Sequence, residues 1–494
     1  MRQRVPVILT AVAGAMAIAA ATAGPATASA ATASAAAARS AAARRAPAHN
    51  PWGKAALLPG AGSLGSTGAD GTAVSCSSTG NCTAGGNYFN GSAEQAFVIG
   101  ERRGHWGKAV PIPGLSALNT GSKDAELDAL SCPSAGNCIA TGTYFDSAGR
   151  TAYVAVQRSG RWSKAEEIPG LAALNLDGDA EPKSVSCASP GNCAVGGSYL
   201  DGSDLFQAFV VTLSNWHWAD AIEVPGTSTL NAGGMAQLVS LSCRKAGNCS
   251  AGGYYKPTSS TTTAFVITEK SGHWGNAVPM PGLAALNVTG QAALVALSCG
   301  SAGNCTAGGY YRDAKDHQQA FLATQKNGKW NKAAEARGTG AMNVGGSAQV
   351  NAVSCPAAGD CSAGGYYERS SNHLQLFLIS EHKGTWGKAI VMPGILSHNK
   401  GSSTQIFSLS CSSAGNCSAG GYFENATFRE FAFVSTESGG HWGAVIEVPG
   451  ISVLSAGGDS QVVQLSCPAT GHCVGVGDGT GAAHKGEAID VTRI

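Results

Sequence analysis

The sequence is poor in charge, because only 13% of its 494 residues are charged and the formal net charge is +1. The first fifty residues contain five arginines and no acidic residue, so the remainder of the chain is slightly acidic. A nucleic-acid-binding protein would carry a basic stripe, and the sequence has none. Beyond the amino-terminal segment, no stretch is long and apolar enough to span a membrane. We therefore expect no nucleic-acid partner and no membrane span in the mature protein.

Helical periodicity and familiar catalytic motifs are also missing. No segment repeats apolar residues at about 3.6-residue intervals over three turns, so long amphipathic helices are excluded. The sequence has no G-x-S-x-G, H-E-x-x-H or P-loop motif, which argues against the hydrolase, metalloprotease and nucleotidase sites that use them. The hydrophobic content of 44% is that of a globular chain and excludes wholesale disorder.

The amino terminus has the features of an export signal. A cationic start with Arg2 and Arg4 precedes an apolar run, and Ala28-Ser29-Ala30 fits a cleavage site. We expect residues 1–30 to be a signal peptide; a membrane anchor is the alternative. Residues 31–49 are rich in Ala and Ser and predict a flexible tether or a trimmed pro-segment. The protein is then secreted and extracellular, where disulfides persist.

Residues 50–494 repeat one unit eight times. Two cysteines stand six residues apart in every unit, and successive pairs are 55 or 56 residues apart. A tryptophan recurs with the same spacing, as at Trp218, Trp274 and Trp330. Self-similarity at this period predicts a repeat architecture. The pairs are Cys76/Cys82, Cys132/Cys138, Cys187/Cys193, Cys243/Cys249, Cys299/Cys305, Cys355/Cys361, Cys411/Cys417 and Cys467/Cys473.

Each unit predicts four short antiparallel strands. In the fourth unit we expect strands at 238–243, 249–255, 264–269 and 274–280, joined by Gly- and Asn-containing turns. The glycine doublet in the second strand indicates that another backbone approaches closely there. The chain opens with a fourth strand that no unit precedes and ends with a third strand that no unit follows. The fold class is therefore all-β, a single eight-bladed β-propeller whose terminal strands share one blade; two smaller rings or a solenoid are the alternatives.

The cysteines predict structural disulfides. A C-x5-C pair that flanks a turn places two Cβ atoms across a hairpin, within reach of a disulfide bond. Zinc sites prefer closer cysteine spacing and need further ligands, and only His472 stands beside a cysteine. We expect eight bridges, each local to one hairpin, with no metal and no cofactor.

Two sets of recurring residues are candidates for ligand binding. In units one to seven an aromatic residue follows the second cysteine by six positions, and in units four to seven a second aromatic precedes it. Neighbouring strand residues point to opposite faces, so one member of each doublet packs and the other lies near water. An asparagine recurs in the connection between units; it either forms a turn or presents an amide to a ligand. The candidates are Tyr255, Tyr311, Tyr367, Asn231, Asn287 and Asn343, with core packing and turn formation as the alternatives.

The units resemble those of secreted tandem-repeat proteins from Ala/Gly-rich actinobacterial proteomes, which read roughly Ser-Cys-x5-Cys-x-Ala-x-Gly-x-Tyr. The resemblance covers residues 52–492 and rests on motifs such as Leu297-Ser-Cys-Gly-Ser-Ala-Gly-Asn-Cys305-Thr-Ala-Gly-Gly-Tyr310. It implies the repeat but no established chemistry, so no functional residue is carried over.

Two classes of function remain. The first is a non-catalytic binding module with several weak sites on one propeller face, for carbohydrate or a cell-surface protein. The second is a glycoside hydrolase or lyase with a site built from divergent loops. An enzyme should break the symmetry of the repeats at one place, and the divergence of the last unit is already explained by ring closure. We favour the binding module, expect no catalytic residue, and expect a monomer.

Overall fold

The computed structural model describes residues 51–121, 124–482 and 484–493. The predicted signal peptide (1–30) and tether (31–49) lie outside the described residues. Eight antiparallel sheets follow one another along the chain. Seven run in sequence order from an inner to an outer strand, and the eighth takes its outer strand from the amino-terminal end of the described chain. Neighbouring inner strands contact one another and the first contacts the last, which makes an eight-bladed β-propeller. The predicted fold class is confirmed.

The inner strands of blades 1 to 8 surround a central channel. They are Ala69–Ser78, Glu126–Ser134, Glu181–Ser189, Ala236–Lys245, Ala292–Ser301, Ala348–Ala357, Thr404–Ser413 and Ser460–Ala469. The second strands are Asn81–Phe89, Asn137–Asp146, Asn192–Leu200, Asn248–Thr258, Asn304–Arg312, Asp360–Ser370, Asn416–Glu424 and His472–Thr480. The third strands are Glu94–Arg102, Gly149–Arg158, Phe206–Ser214, Thr261–Lys270, Gln318–Lys326, His373–His382, Glu430–Ser438 and Gly486–Arg493.

The outer strand is not the continuous strand that the sequence predicts at 274–280. It is split into two short segments, and both pair with the third strand. The split occurs because the Ala277 N–H, which lies between the two segments, donates to Pro225 O of the preceding blade over 2.7 Å. The first segments are His105–Trp106, Arg161–Trp162, His217–Trp218, His273–Trp274, Lys329–Trp330, Thr385–Trp386 and His441–Trp442. The second segments are Val110–Pro111, Glu166–Glu167, Ile222–Glu223, Val278–Pro279, Ala334–Glu335, Ile390–Val391 and Ile446–Glu447.

Among the described residues, helix is confined to one turn in the connection between blades. Each turn begins after a glycine with positive φ, such as Gly282 at 77°, where a side chain would be strained. The α-helical turns are Leu115–Leu118, Thr227–Leu230, Leu283–Leu286, Thr339–Met342, Ile395–His398 and Ile451–Leu454, and the 3-10 turns are Ala61–Ser63 and Leu171–Ala173.

The ring closes in blade 8 as the sequence predicts. Ala56–Leu57 is the outer strand of that blade and pairs with Gly486–Arg493, while Trp52 bridges to Arg493. Trp52 is 3% exposed, and its indole N–H donates to Thr436 Oγ1 of blade 7 over 3.1 Å. The two chain ends thus supply one sheet, which removes the free edges that an open ring would expose.

A ring of serine hydroxyls fastens the inner strands to each other. The serine before the first cysteine of each blade accepts a hydrogen bond from the N–H of that cysteine in the next blade, over 2.9–3.2 Å. All eight blades contribute, and Ser466 bonds Cys76 across the closure. Each hydroxyl satisfies an edge N–H that would otherwise lack a backbone partner.

The core lies between blades, and disulfides close the hairpin between inner and second strands. The third-strand aromatics Phe97, Tyr153, Phe209, Phe265, Phe321, Phe377 and Phe433 are fully buried. Blades rich in small residues bury little apolar area, so the disulfides supply part of the stability. The eight predicted bridges are all present and no described cysteine is free: Cys76–Cys82, Cys132–Cys138, Cys187–Cys193, Cys243–Cys249, Cys299–Cys305, Cys355–Cys361, Cys411–Cys417 and Cys467–Cys473.

The second cysteine of each bridge is more than a link across a turn, which the sequence did not indicate. Cys193, Cys249, Cys417 and Cys473 are only 2–5% exposed. Each packs among apolar side chains of the core between blades, as Cys193 does beside Ile139 of blade 2. These cysteines are buried because the second strand is covered by the neighbouring blade on its core face. They are therefore structural residues of the core and are not available to a ligand.

Candidate functional site

The propeller has two different faces. The hairpins with the disulfides emerge on one face, which we call the disulfide face. The connections from second to third strand and from blade to blade emerge on the other, the loop face. On the loop face the start of a third strand bridges the start of the next blade's inner strand, as Phe206 does with Met235. The variable loops therefore lie above a braced rim at the channel mouth.

The recurring asparagines brace this rim. Asn231 is 3% exposed; its amide donates to Phe206 O over 2.9 Å and accepts from Met235 N–H over 2.7 Å. Asn343 repeats the pattern, with its amide donating to Gln318 O over 2.9 Å. These side chains connect neighbouring blades, and their polar atoms are already used.

Asn287 is half-buried and holds the same position. Its amide donates to Thr262 O over 3.2 Å and accepts from Arg312 N–H over 3.3 Å. The expectation that Asn231, Asn287 and Asn343 present amides to a ligand is therefore corrected: backbone groups of the rim occupy them. The turn-forming alternative was closer, although the bonds reach the adjacent blade as well as the local turn.

The tyrosines chosen from the sequence lie in the core. Tyr255 and Tyr311 are each 4% exposed and Tyr367 is 3% exposed. The Tyr255 ring packs against Phe265 with ring centroids 6.4 Å apart. These three rings face the interior between blades and offer no stacking surface to solvent, which corrects the ligand-binding interpretation of this position. The packed member of the doublet is the second one.

The first tyrosine of each doublet faces the channel mouth. Tyr254, Tyr310 and Tyr366 are half-buried, and Tyr422 is 9% exposed. Each pairs across the sheet with an inner-strand residue, as Tyr254 does with Gln237. Because these four residues hold one position in consecutive blades 4 to 7, they line one side of the mouth. We call Tyr254, Tyr310, Tyr366 and Tyr422 the tyrosine arc.

Hydrogen bonds fix three hydroxyls of the tyrosine arc, those of Tyr254, Tyr366 and Tyr422. Tyr254 donates to Gln237 Oε1 over 3.1 Å, and Tyr366 accepts from Gln318 Nε2 over 3.0 Å. The Tyr422 hydroxyl lies 2.7 Å from Ser403 Oγ. Burial raises the pKa of Tyr254 and of Tyr422 to about 12, so these hydroxyls remain protonated at neutral pH. Tyr254, Tyr310 and Tyr366 are thus partly exposed, whereas the Tyr422 ring is buried against Phe407, with ring centroids 5.6 Å apart.

The other side of the mouth is acidic. At the tyrosine position, blades 8, 1, 2 and 3 carry Asp478, Asn87, Thr143 and Ser198. The paired inner-strand position changes too: Asp70, Glu126 and Glu181 stand in blades 1 to 3, whereas blades 4 to 8 carry Gln or Ala there. One further acid, Asp128, is the residue that bulges from the inner strand of blade 2. We call Asp478, Asp70, Glu126, Asp128 and Glu181 the acidic arc.

Burial and the proximity of other carboxyl groups raise the pKa of two residues of the acidic arc. Burial, and then repulsion by Glu181, raises the pKa of Asp128 to about 8. Burial, and then the charge of Asp124, raises the pKa of Glu126. Lys183 pairs with Glu181. Two acids of the acidic arc therefore hold protons more tightly than ordinary carboxyls.

Sequence reasoning singled out the tyrosine doublets but chose the wrong member of each, and it missed the acidic arc. The repeat itself indicates both arcs, because the position five residues after the second cysteine is tyrosine in four consecutive blades and Asp, Asn, Thr or Ser in the other four.

At the opposite end of the channel, Arg244 reaches across two blades and donates to Cys355 O over 2.8 Å. Within the described residues no cluster of His, Cys, Asp and Glu could hold a metal ion. None of their helices has the length and apolarity needed to cross a bilayer.

The known proteins that resemble this chain do so distantly. Neither a protein-family model nor a curated protein matches the chain. Among solved structures, the β-propeller domain of the Trilobed protease from Pyrococcus furiosus is 9% identical and covers 74% of this chain and 95% of its own, with a TM-score of 0.41. Sqt1 from Chaetomium thermophilum is 8% identical (86% and 95%, TM-score 0.45), and the fucose-specific lectin from Aleuria aurantia is 14% identical (64% and 93%, TM-score 0.32). These similarities are too distant to indicate a function.

Proposed function

We propose that the protein is a secreted, non-catalytic binding module that holds a carbohydrate or another cell-surface polymer at the channel mouth of the loop face. The tyrosine arc carries the proposal. Aromatic faces with a fixed hydroxyl suit a sugar ring, which stacks its C–H face and bonds its hydroxyls. Eight disulfides suggest an extracellular protein and fit the compartment in which such ligands occur.

Affinity for a single sugar should be weak, because a partly exposed ring buries little ligand surface. The three half-buried tyrosines along one rim, Tyr254, Tyr310 and Tyr366, let a polymer make several contacts at once, so avidity supplies the useful affinity. The acidic arc opposite favours ligands without strong negative charge at this face. The preferred ligand is thus a neutral or cationic polysaccharide, or a polymer with similar surface groups.

The experiment is a binding screen of the purified protein against glycans and cell-wall polysaccharides, followed by stepwise substitution. Tyr254→Ser and Tyr310→Ser introduce the residue that blade 3 carries at this position, Ser198. We expect each substitution to reduce avidity by a step, and the two together to reduce it further.

Trp216→Ser is the control, since Trp216 lies in a hairpin of the disulfide face and should leave binding unchanged. Undiminished avidity in the double tyrosine variant would contradict the proposal. So would complete loss at the first substitution, because a single indispensable residue is the behaviour of an enzyme.

A second candidate, a glycoside hydrolase, is supported by the acidic arc. Asp128 and Glu181 come from neighbouring blades, and the pKa of Asp128 is raised to about 8 by burial and by Glu181. A protonated acid near a second carboxyl is the arrangement that general-acid hydrolysis uses. Asp128→Asn should abolish turnover of any polysaccharide that the protein degrades, and should leave binding to the tyrosine arc intact if the module is not catalytic.

Export and assembly are part of the proposal. We propose that residues 1–30 are removed on secretion, that 31–49 form a tether or pro-segment, and that the propeller is a monomer. Amino-terminal sequencing of the secreted protein tests the cleavage, and light scattering of the same sample tests the mass. A secreted chain that still begins at Met1, or a mass of two chains, would contradict these points.

A further inference from the structure

A repeated polar contact joins the blades near the disulfide face. The third-strand residue that pairs with the first outer-strand tryptophan points to the preceding blade. Gln325 there accepts from Ser250 Oγ and donates to Thr268 Oγ1, each over 3.0 Å. Glu437 repeats the contact by accepting from Ser362 and Ser380, over 3.3 and 3.1 Å. The polar residue of one blade is thus satisfied by two hydroxyls of its neighbour.

The partners follow the polarity of that residue. Where blade 3 carries Leu213, the two facing positions of blade 2 are Ile139 and Val156, and the contact is apolar. These three interfaces are matched, either polar with two hydroxyls or apolar with two aliphatic side chains. At the same position of blade 4, the carboxylate of Glu269 is buried without a hydrogen-bond partner among the described residues. A mismatch would leave a buried polar atom without a partner.

The interface between blades 1 and 2 has such a mismatch. Gln157 faces Thr83 and Gly100, so one of the two expected side chains is missing. Gln157 is 6% exposed, and its Oε1 is buried with no hydrogen-bond partner among the described residues. A Cβ built on Gly100 would meet no atom within 4 Å, so open space lies where other blades place a threonine.

Cavities lie at several of these interfaces, and their volumes do not depend on the residue at this position alone, because the cavity lined by Thr268 is also about 550 Å³. The cavity is about 550 Å³ with Gly100, about 460 Å³ with Ser380, about 400 Å³ with Thr492 and about 320 Å³ with Thr324. The volume at Gly100 lies within the range of sites for small ligands, roughly 300–1,000 Å³. The cavity also contains hydroxyls from Ser134 and Ser159.

Two arginines give the cavity a cationic rim. Arg102 and Arg103 follow Gly100 on the same strand and turn, and both line the cavity. The Arg102 guanidinium reaches across to blade 2, where its Nη2 lies against Gly160 and occupies the space that a Cβ on this glycine would need. Glu101 also lines the cavity. Burial, followed by the charge of Asp490, raises the pKa of Glu101, so this carboxyl repels a bound anion less than an ordinary carboxylate would.

We propose that this cavity is a binding site for an acidic monosaccharide, a sugar ring that carries a carboxylate. A ring hydroxyl fills the space above Gly100 and donates to Gln157 Oε1, the atom that in the equivalent Gln325 accepts from Ser250. The carboxylate bonds Arg102 and Arg103 at the rim, where guanidinium groups suit its planar geometry. The site lies on the face opposite the tyrosine arc and goes beyond the function proposed above.

The experiment measures binding of methyl glucuronide and methyl glucoside to the full chain by calorimetry. We expect the uronide to bind and Gly100→Thr to weaken it at least about tenfold, because the threonine fills the cavity and satisfies Gln157. The melting temperature of this variant should be unchanged or higher. Gly100→Ser introduces the residue that blade 6 carries at this position and should weaken uronide binding less than Gly100→Thr does. It provides the measurement if Gly100→Thr does not fold.

Two controls separate the site from general effects. Ser380→Thr adds the same methyl group at the equivalent position of blade 6 and should leave uronide binding unchanged. Arg102→Ala should weaken the uronide about tenfold and leave the weaker glucoside unaffected. The proposal is overturned if the wild type binds neither sugar, if it binds both equally, or if Gly100→Thr binds the uronide as well as the wild type. Tyrosine-arc variants should bind the uronide normally, so the two proposals fail independently.

Discussion

The second glycine of each doublet is required by a backbone contact. The inner strand bulges by one residue, at Val239 in blade 4, and this pushes a carbonyl against the second strand. A Cβ on Gly253 would lie 1.9 Å from Gln237 O, and the equivalent glycine in every other blade meets the same carbonyl. The sequence predicts that a backbone approaches here, and the bulge explains which one.

Gly253→Ala should therefore destabilise the protein by at least about 1–3 kcal/mol, because the clash is with backbone and cannot be relieved by a rotamer change. Gly275→Ala in the same blade is the matched control, since its Cβ would meet Thr268 O at an ordinary 3.5 Å. Urea unfolding of both variants measures the difference. Equal free energies of unfolding would show that the strands separate easily at the doublet.

A second residue-scale prediction concerns the buried glutamates between blades. Burial, followed by the charge of Asp360, raises the pKa of Glu381 from 4.5 to about 7. The folded state then holds the proton more tightly than the unfolded state. Its contribution to stability is complete below about pH 4.5 and is lost as the pH rises through about 7.

Glu381→Gln removes this titration and introduces the residue found at the same position in blades 2 and 5. Relative to wild type, the variant should gain about 2–3 kcal/mol of unfolding free energy between pH 4.5 and pH 8, because it stays neutral. Urea titrations at the two pH values measure the change. Glu166→Gln, in an exposed outer segment, should show no such gain, and an equal gain in both variants would contradict the explanation.

At the scale of elements, single asparagines hold the connections between blades in place. Asn231 holds the start of one blade against the third strand of the previous blade through Met235 and Phe206. Asn231→Ala leaves the half-buried Phe206 carbonyl and Met235 N–H without their side-chain partner and should cost about 1–3 kcal/mol. Differential scanning calorimetry measures the loss.

Asn331→Ala is the control for that substitution. Asn331 is exposed and makes one side-chain bond, to Thr324 Oγ1 over 3.2 Å. Its loss should cost little. If Asn231→Ala were as stable as this control and instead lost ligand binding, the bracing role would be wrong and the amides would face a ligand after all.

The order and pairing of the elements were predictable, because the cysteine and tryptophan spacing marks the hairpins and the alternation marks the strands. The orientation of the tyrosine doublets was not. Adjacent residues must face opposite sides, but which side is the core depends on the neighbouring blade, and Tyr255 packs on Phe265 while Tyr254 turns to the channel. The break in the outer strand was missed for the same reason, since Ala277 bonds a carbonyl of another blade.

At the scale of the whole molecule, closure depends on a short amino-terminal segment. Deleting residues 50–60 removes Trp52 and the outer strand of blade 8, and exposes the edge of Gly486–Arg493. We expect a loss of about 3–5 kcal/mol or more, the scale of losing a large buried aromatic with its strand. Thermal unfolding measures it. Deleting residues 31–48 should leave the transition unchanged, and equal melting of the two truncations would contradict the closed ring.

The central claim is that the tyrosine arc, on one side of one face, holds the ligand. Hydrogen–deuterium exchange with and without the saturating polysaccharide found by the screen tests it most directly. The account predicts protection at the mouth ends of the second strands in blades 4 to 7, around Tyr254, Tyr310, Tyr366 and Tyr422, with no change at the disulfide face. Protection centred on blades 8 and 1 to 3, or on the disulfide face, would contradict it.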